Sequence, residues 1–403
     1  MQSKRRKKQG VTRRFFLVTG GMALGGAIAG VSYAVLGRAN QSIAETPTNG
    51  ENNITASEVL VGETKHRNPN PAPKGLYAPK RGDVRIVVIS DLNSAYGATD
   101  YRDEVKQAIK FLPDWEPDII LCSGDMIAGQ TVLTRAQIQA MWDGFEKHIG
   151  SKIRATKIPY GFTIGNHDAS AWKNAKGDYL FKDERELAAE YWNDPKHDPG
   201  LKFVDRAGFP YYYTFEQNDI FYLVWDASTN RVPPEQVVWA EKALASDRAQ
   251  KAKLRIVIGH LPFYAVAVGR EDIGEVLADA DQLRAMLEKY NVHTYISGHH
   301  HAYYPGHRGK LELLAAGALG EGARPLLDAN LPIIRTLTVV DVNFADNSTT
   351  YTTYNMNTME VVNQQILPRM IVGPNGYVVR RDIPEDSLTP EEKNRKFVDP
   401  MGL

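Results

Sequence analysis

From residue 83 onward, apolar and polar positions alternate between two periods. Residues 84–90 are almost continuously apolar, as in a strand covered on both faces. Val105, Ala108, Ile109 and Leu112 then recur at helical spacing, and Pro113 ends that run. A second apolar run, 119–122, leads into Ser123-Gly124-Asp125. Thr134 stands where an N-cap would precede a helix burying Ile138, Met141, Trp142, Phe145 and Ile149. Further strands are predicted at 162–164, 220–225, 254–258, 294–296, 312–315 and 336–341. Helices are predicted at 235–245 and 282–290, the second capped by Asp281. Tyr211-Tyr212-Tyr213 reads as a half-buried strand. This alternation defines a layered α/β domain over residues 83–343.

The flanks follow other rules. Thr12-Arg13-Arg14-Phe15-Phe16-Leu17 is a twin-arginine pattern, and an uncharged, glycine-studded run over 15–37 follows it. Ser42-Ile43-Ala44 offers a small-x-small cleavage site. Residues 1–44 are therefore an export signal, cleaved or retained as a membrane anchor through 15–37. Either outcome makes the twin-arginine export machinery a partner and the location periplasmic or otherwise extracytoplasmic. Residues 45–82, rich in Asn, Thr and Pro, read as a flexible linker. Residues 344–403 are a C-terminal extension. Its strand-like pieces at 349–354 and 377–380 extend a sheet or cover a site, and a polar tail after Arg381 lies on the surface or is mobile.

Charge narrows the options. The formal net charge is zero, but residues 1–44 hold eight basic and no acidic side chains. Setting those aside leaves 40 basic against 48 acidic residues, a balance that excludes a dedicated nucleic-acid binder. The single cysteine, Cys122, excludes an intrachain disulfide and reads as core.

Ligand-type residues gather where the apolar runs end. Asp91 and Asn93 follow the first run and Asp125 the second. Asn166, His167 and Asp168 follow the third, His260 follows 254–258, and His299 and His301 follow 294–296. Strand carboxyl ends are where sites assemble in α/β sheets. Carboxylate, amide and imidazole together suit a borderline divalent or trivalent metal, not a soft thiolate site. Glycines at 124, 165, 259 and 298 precede several of these residues, allowing close backbone approach.

The ordered series Asp91-Leu92-Asn93, Gly124-Asp125, Gly165-Asn166-His167-Asp168, Gly259-His260 and Gly298-His299-His300-His301 resembles the calcineurin-like metallophosphoesterases. Their signature is D-x-H, G-D, G-N-H-D/E, G-H and G-H-x-H. The resemblance implies a four-layer α/β/β/α sandwich hydrolysing phosphomonoesters or phosphodiesters. It implies two divalent or mixed-valence metal ions, drawn from Mn, Fe, Zn and Mg. Asp125 would bridge them. Asp91 and His301 would serve the first, and Asn166, His260 and His299 the second. His167 would stabilise the transition state or protonate the leaving alcohol, with Asp168 orienting its imidazole. A bridging water would attack phosphorus in line.

Two departures matter. The family has histidine where this chain has Asn93, a neutral and weaker ligand that fits Mn, Mg or Fe better than Zn. A first site lost through that change would leave an exported metal-binding pseudoenzyme acting as a binding module, the alternative to the enzyme. The motifs 260–264 and 298–303 are nearest to the purple acid phosphatase branch, but that branch carries a ligand tyrosine where this chain has Ala128. His66, His148, His197, His293, His300 and His307 are expected to be structural. Tyr303 and Tyr304 are candidates for lining the pocket.

Overall fold

The computed structural model describes residues 69–399. The twin-arginine pattern, the 15–37 run, the cleavage site and most of the 45–82 linker lie outside the described residues. Within them, no helix is long and apolar enough to cross a membrane.

The strands are β1 (Val84–Ile89), β2 (Ile119–Cys122), β3 (Tyr160–Phe162), β4 (Phe203–Gly208), β5 (Tyr212–Gln217), β6 (Ile220–Val224), β7 (Leu254–Ile258) and β8 (Thr294–Ser297). They continue with β9 (Tyr303–Arg308), β10 (Leu311–Ala316), β11 (Thr336–Asn343), β12 (Ser348–Asn355), β13 (Glu360–Val361), β14 (Met370–Gly373) and β15 (Gly376–Arg380). Among the described residues they build a six-stranded sheet, β13-β12-β11-β1-β2-β3, and a nine-stranded sheet, β14-β15-β9-β10-β8-β7-β6-β5-β4. The sheets pack face to face. Tyr213 of β5 meets Phe162 of β3 with ring centroids 5.9 Å apart, and its hydroxyl accepts from the Phe162 N–H at 3.1 Å. Helices form the outer layers, completing the expected four-layer sandwich.

Each helix is placed by its apolar stripe. The helix Asp103–Phe111 buries Val105, Ala108 and Ile109. The helix Arg135–Phe145 starts at a capping box in which Thr134 accepts from the Gln137 N–H. It stacks Trp142 against Tyr191 of the helix Lys182–Asn193, and the neighbouring Trp192 lies 3.9 Å from Phe162.

Register places the site. Ile89 of β1 pairs with Cys122 of β2, and Cys122 with Phe162 of β3, all parallel. In the other sheet Val224, Ile258 and Ile296 line up in the same way across β6, β7 and β8. The carboxyl ends of six strands thus finish level, and the loops that leave them carry Asp91, Asp125, Asn166, His260 and His299.

Three expectations change. The third strand is Tyr160–Phe162, two residues earlier than predicted, because the chain leaves the sheet to turn at Gly165. Asp281 does not cap the helix Ala280–Lys289 but lies in its first turn and accepts from the Tyr264 hydroxyl at 2.6 Å. Residues 69–82 do not hang free. Arg85 is fully buried, and its guanidinium donates to the carbonyls of Pro71 and Pro79, each at 2.9 Å. A buried cation needs acceptors, and these residues supply them. Of the two roles expected for the C-terminal strand pieces, the topology shows sheet extension, through β12 and β13 in one sheet and β14 and β15 in the other. The stretch after Arg381 is anchored too, with Ile383 and Leu388 packed against Met370 and Val379.

Candidate metal centre

The loops that leave the strands are tightly bent. Asp91, Asp125, His299 and His301 have φ of 49°, 55°, 63° and 56°. Each such residue costs about 1–2 kcal/mol in the left-handed region, so neighbouring contacts must hold it there. They do: the Asp91 N–H donates to the Gly124 carbonyl (3.0 Å), and the Leu92 and Asn93 N–H groups donate to the Asp125 carbonyl (2.8 and 3.1 Å). The Gly298 N–H donates to the His260 carbonyl (3.0 Å), and the Arg324 N–H to the His301 carbonyl (3.1 Å). Two glycines are required by crowding. A Cβ on Gly165 would stand 2.1 Å from Asp125 Oδ1, and one on Gly298 would stand 2.2 Å from Ser90 Oγ and 2.6 Å from Asp91 Oδ2.

The side chains converge. Asn166 Oδ1 lies 2.8 Å from His260 Nε2 and 2.9 Å from His299 Nδ1. Asp125 Oδ2 is 3.3 Å from His260 Nε2, and Asp91 Oδ1 is 3.2 Å from His301 Nε2. Asp91, Asp125 and His260 each offer a buried ligand atom within 4.8 Å of the others.

The far side of every imidazole is tied to an acceptor. His260 Nδ1 is 2.7 Å from the Ser123 carbonyl, His301 Nδ1 is 3.0 Å from the Gly322 carbonyl, and His299 Nε2 is 2.7 Å from Glu275 Oε2. Those nitrogens must carry the proton, so in the neutral rings lone pairs point inward. The Asn166 amide is fixed likewise: its NH2 donates to Gln130 Oε1 at 2.6 Å, which turns its oxygen toward the histidines. Lone pairs therefore face lone pairs. Asp125 Oδ2 and His301 Nε2 are buried without a hydrogen-bond partner. A metal ion, or a proton added to one imidazole, would satisfy such a set, and the donor chemistry fits a hard or borderline metal.

Electrostatics agree. Burial would raise the Asp125 carboxyl, but His260 and His167 hold it well below the usual range. Burial would lower His260, but Asp125 pushes it up to about 9. The site is short of positive charge, and a proton or a metal ion supplies it. His299 is driven well below its ordinary value by burial and then by His260.

Asn93 is buried at the same strand end through its N–H to Asp125. No hydrogen bond joins its side-chain amide to the converging donors among the described residues. His167 borders the site. Its N–H donates to Asp125 Oδ1 at 2.9 Å, and its Nε2 stands 4.0 Å from Asp125 Oδ2. The Tyr96 ring lies 5.2 Å away.

Asp168 does not orient that imidazole. His167 Nδ1 lies 2.9 Å from the Gly129 carbonyl. The Asp168 carboxylate instead accepts from three backbone N–H groups, Met126 (2.7 Å), Ile127 (2.9 Å) and Gly165 (2.8 Å). Asp168 is the third residue of the short helix Asn166–Ala169, so its side chain turns back to cap that helix, away from the neighbouring histidine.

The other polar residues have structural work. His300 is buried, bonded to the Val266 N–H (3.2 Å) and the Glu275 carbonyl (3.0 Å). His307 Nε2 meets the Ile383 carbonyl at 2.9 Å, and Tyr304 donates to the Pro368 carbonyl at 2.9 Å. Cys122 is free and buried, its thiol pushed up to about 12 by burial. Gly129, Gln130, Glu275 and Gly322 belong to no motif, and the sequence reading passed over them. Ser90 had a signal, since it directly precedes Asp91 and donates to it at 2.6 Å.

A mixed α/β sandwich that converges carboxylates, an amide and imidazoles at its strand ends offers a candidate site for metal ions. Residues 84–303 match the family model described as calcineurin-like phosphoesterase, and the chain belongs to that family. Similar solved structures include purple acid phosphatase PPD1 from yellow lupin (Lupinus luteus) seeds, 18% identical with a TM-score of 0.48. That match covers 70% of this chain and 52% of the lupin chain, about half its length. A dimetal phosphatase from Danio rerio is 12% identical with a TM-score of 0.46, over 70% of this chain and 98% of the other. Comparison with curated proteins found no match.

Proposed function

We propose that this chain is an exported phosphoesterase that hydrolyses phosphomonoesters or phosphodiesters with two metal ions. One observation carries the reading: Asp125, Asn166, His260 and His299, with Asp91 and His301 beside them, aim acceptor atoms at one another while their other polar atoms are tied off. Asp91, Asp125 and His301 would hold the first ion. Asp125, Asn166, His260 and His299 would hold the second, with Asn93 as a further candidate on the first. Bound there, such ions acidify water and neutralise phosphoryl charge. The chain's own residues then divide the work. Asp125 orders the His167 backbone, and Gly129 fixes the imidazole so that Nε2 faces the site. A proton held at Nε2 is positioned to pass to the leaving oxygen. Export is supported by the twin-arginine pattern at Arg13-Arg14, followed by an uncharged run.

Asn93 favours a second reading, an exported metal-binding module without turnover. His167, held in place beside the donors, favours the enzyme. The test is hydrolysis of a nitrophenyl monoester and a bis-nitrophenyl diester by the full chain. It is run metal-free and with Mn²⁺, Zn²⁺, Fe²⁺ or Mg²⁺, beside Asp125→Ala and His167→Ala. Metal-dependent turnover lost in both variants establishes the enzyme. Stoichiometric metal binding without turnover selects the module. Export is tested by fractionating cells that make the Arg13→Lys/Arg14→Lys variant. Unchanged delivery outside the cytoplasm would remove the twin-arginine route.

A further inference from the structure

Beside the last metal-ligand motif the protein holds an apolar pocket that the hydrolytic reading does not use. It has a volume of about 180 Å³ and is lined by Ala302, Leu326, Leu331, Val361 and Ile366, with Arg324 as its cationic member. That is the size of a cavity that accepts one aromatic ring. Its lining comes largely from residues 324–367, beyond the matched span 84–303.

The pocket sits at the same end of the sandwich as the donors. Ala302 directly follows His301, and the Arg324 N–H donates to the His301 carbonyl at 3.1 Å. β11, which the lining segment enters, pairs antiparallel with β1, so its first residues lie opposite the end of β1 that leads to Asp91. The chain between β10 and β11 is pinned to that end, where the Gly320 N–H donates to the Asp91 carbonyl at 2.7 Å.

Arg324 is the informative residue. It is half-buried, its Nε is shut off from water, and its guanidinium has no hydrogen bond or ion pair among the described residues. A Cβ on Gly269 would stand 3.2 Å from Arg324 Nη1, so the guanidinium reaches the backbone next to Arg270. Arg270 in turn pairs with Glu275 Oε2 at 2.6 Å, and that same oxygen holds His299. Arg324 thus neighbours the donors by two routes, through Arg270 and Glu275 to His299 and through its own N–H to the His301 carbonyl. An arginine placed so, within reach of the charges of Glu275 and Glu271 but paired directly with neither, is poised for an anion. The rim adds apolar surface, since Val361 and Ile366 are 39% and 57% exposed although they line the pocket.

We propose that Arg324 and this pocket form the subsite for the alcohol half of the substrate, an amphiphilic phosphoester whose alcohol carries an aromatic or short aliphatic group. Arg324 takes an anionic phosphoryl oxygen, and the pocket takes the apolar group. The proposal rests on the phosphoesterase reading and narrows it to a substrate class.

The test compares methylphosphonate with benzylphosphonate, neither of which can be hydrolysed, by calorimetric titration of the Mn²⁺-loaded full chain. Burying the phenyl ring is expected to make benzylphosphonate bind at least about tenfold tighter. Val361→Asp and Ile366→Asp, at the exposed rim, should abolish that preference and leave methylphosphonate affinity unchanged, which also reports correct folding. Arg324→Met should weaken both ligands about tenfold or more. Equal affinity for the two phosphonates, or a preference that survives both rim variants, overturns the subsite. Binding of neither, with nitrophenyl ester turnover intact, overturns the subsite alone. Binding of neither, with no turnover, removes both readings.

Discussion

Glu275 is the sharpest place to test whether the converging donors hold metal. It lies in the short turn Ile273–Glu275, 24 residues before the histidine it touches. Its Oε2 is 2.7 Å from His299 Nε2 and 2.6 Å from Arg270 Nη1. In Glu275→Ala, His299 loses the acceptor that sets its tautomer and ring orientation, and Arg270 is left as an unpaired cation beside the site. Loss of such an outer partner costs roughly 10–100-fold in metal affinity, or about 1.4–2.7 kcal/mol. Glu275→Gln keeps an oxygen for His299 but without charge, and a neutral hydrogen bond has about half the strength. The expected loss there is less than about tenfold. The fold should survive, because His300 is held by the Glu275 backbone carbonyl at 3.0 Å, which neither change removes. The assay titrates metal-free full chain with Mn²⁺, reading free Mn²⁺ by electron paramagnetic resonance. Removing the stranded cation in Arg270→Gln/Glu275→Ala should recover part of the loss. Wild-type Mn²⁺ affinity in Glu275→Ala would refute the argument, because the site would then not depend on His299 being held.

Three other perturbations separate the roles argued above. Asp168→Asn should lower stability by about 1–3 kcal/mol, since one of its backbone N–H partners would face an NH2 group, and should leave the shape of the pH–rate profile unchanged. A shifted profile at wild-type stability would restore the dyad role. Glu184 is buried, and burial pushes its carboxyl up to about 8, above its ordinary 4.5, although the Gln130 N–H donates to it at 2.8 Å. Between those values the folded chain keeps a proton that the unfolded chain releases, so stability falls as pH rises. Glu184→Gln is neutral at every pH, so its stability relative to wild type should rise by about 2–4 kcal/mol between pH 5 and pH 9 in urea unfolding. A pH-independent difference would show that Glu184 is ionised throughout. Arg85→Met strands the buried Asp341 carboxylate, which Arg85 now grips at 2.8 and 2.9 Å. It should cost about 3–5 kcal/mol and expose 69–82 to limited proteolysis; a loss below about 1 kcal/mol would contradict the buried pair's role.

The difference between what the sequence disclosed and what it hid follows from how each residue finds its partner. β1, β2 and β7 are short runs of residues buried nearly without exception, so composition alone marks them. Thr134 carries its signal within three residues, since its partner is Gln137. Asp91, Asp125, Asn166, His260, His299 and His301 each sit just past a strand, so local pattern finds them even though their meeting depends on the registers of two sheets.

The residues that tune those donors obey no such rule, because a hydrogen-bond acceptor has no sequence signature. Gly129 and Gly322 act through carbonyls that any residue could offer, and Glu275 acts from a turn outside every motif. Gln130 is 36 residues from the Asn166 amide it holds. Asp168 shows the opposite hazard. Adjacency to His167 suggested a pair, yet successive residues on a helical turn point about 100° apart, and the carboxylate found three N–H groups of its own. Motif reading therefore locates donors at strand ends, and the neighbours that set their protons and orientations become visible only once the loops are folded. Loop 128–131 carries the point furthest. Ala128 removes the phenolate that the nearest branch would place there, and the next two residues hold His167 through a carbonyl and Asn166 through an amide. This loop offers no phenolate, and two of its residues orient side chains at the site.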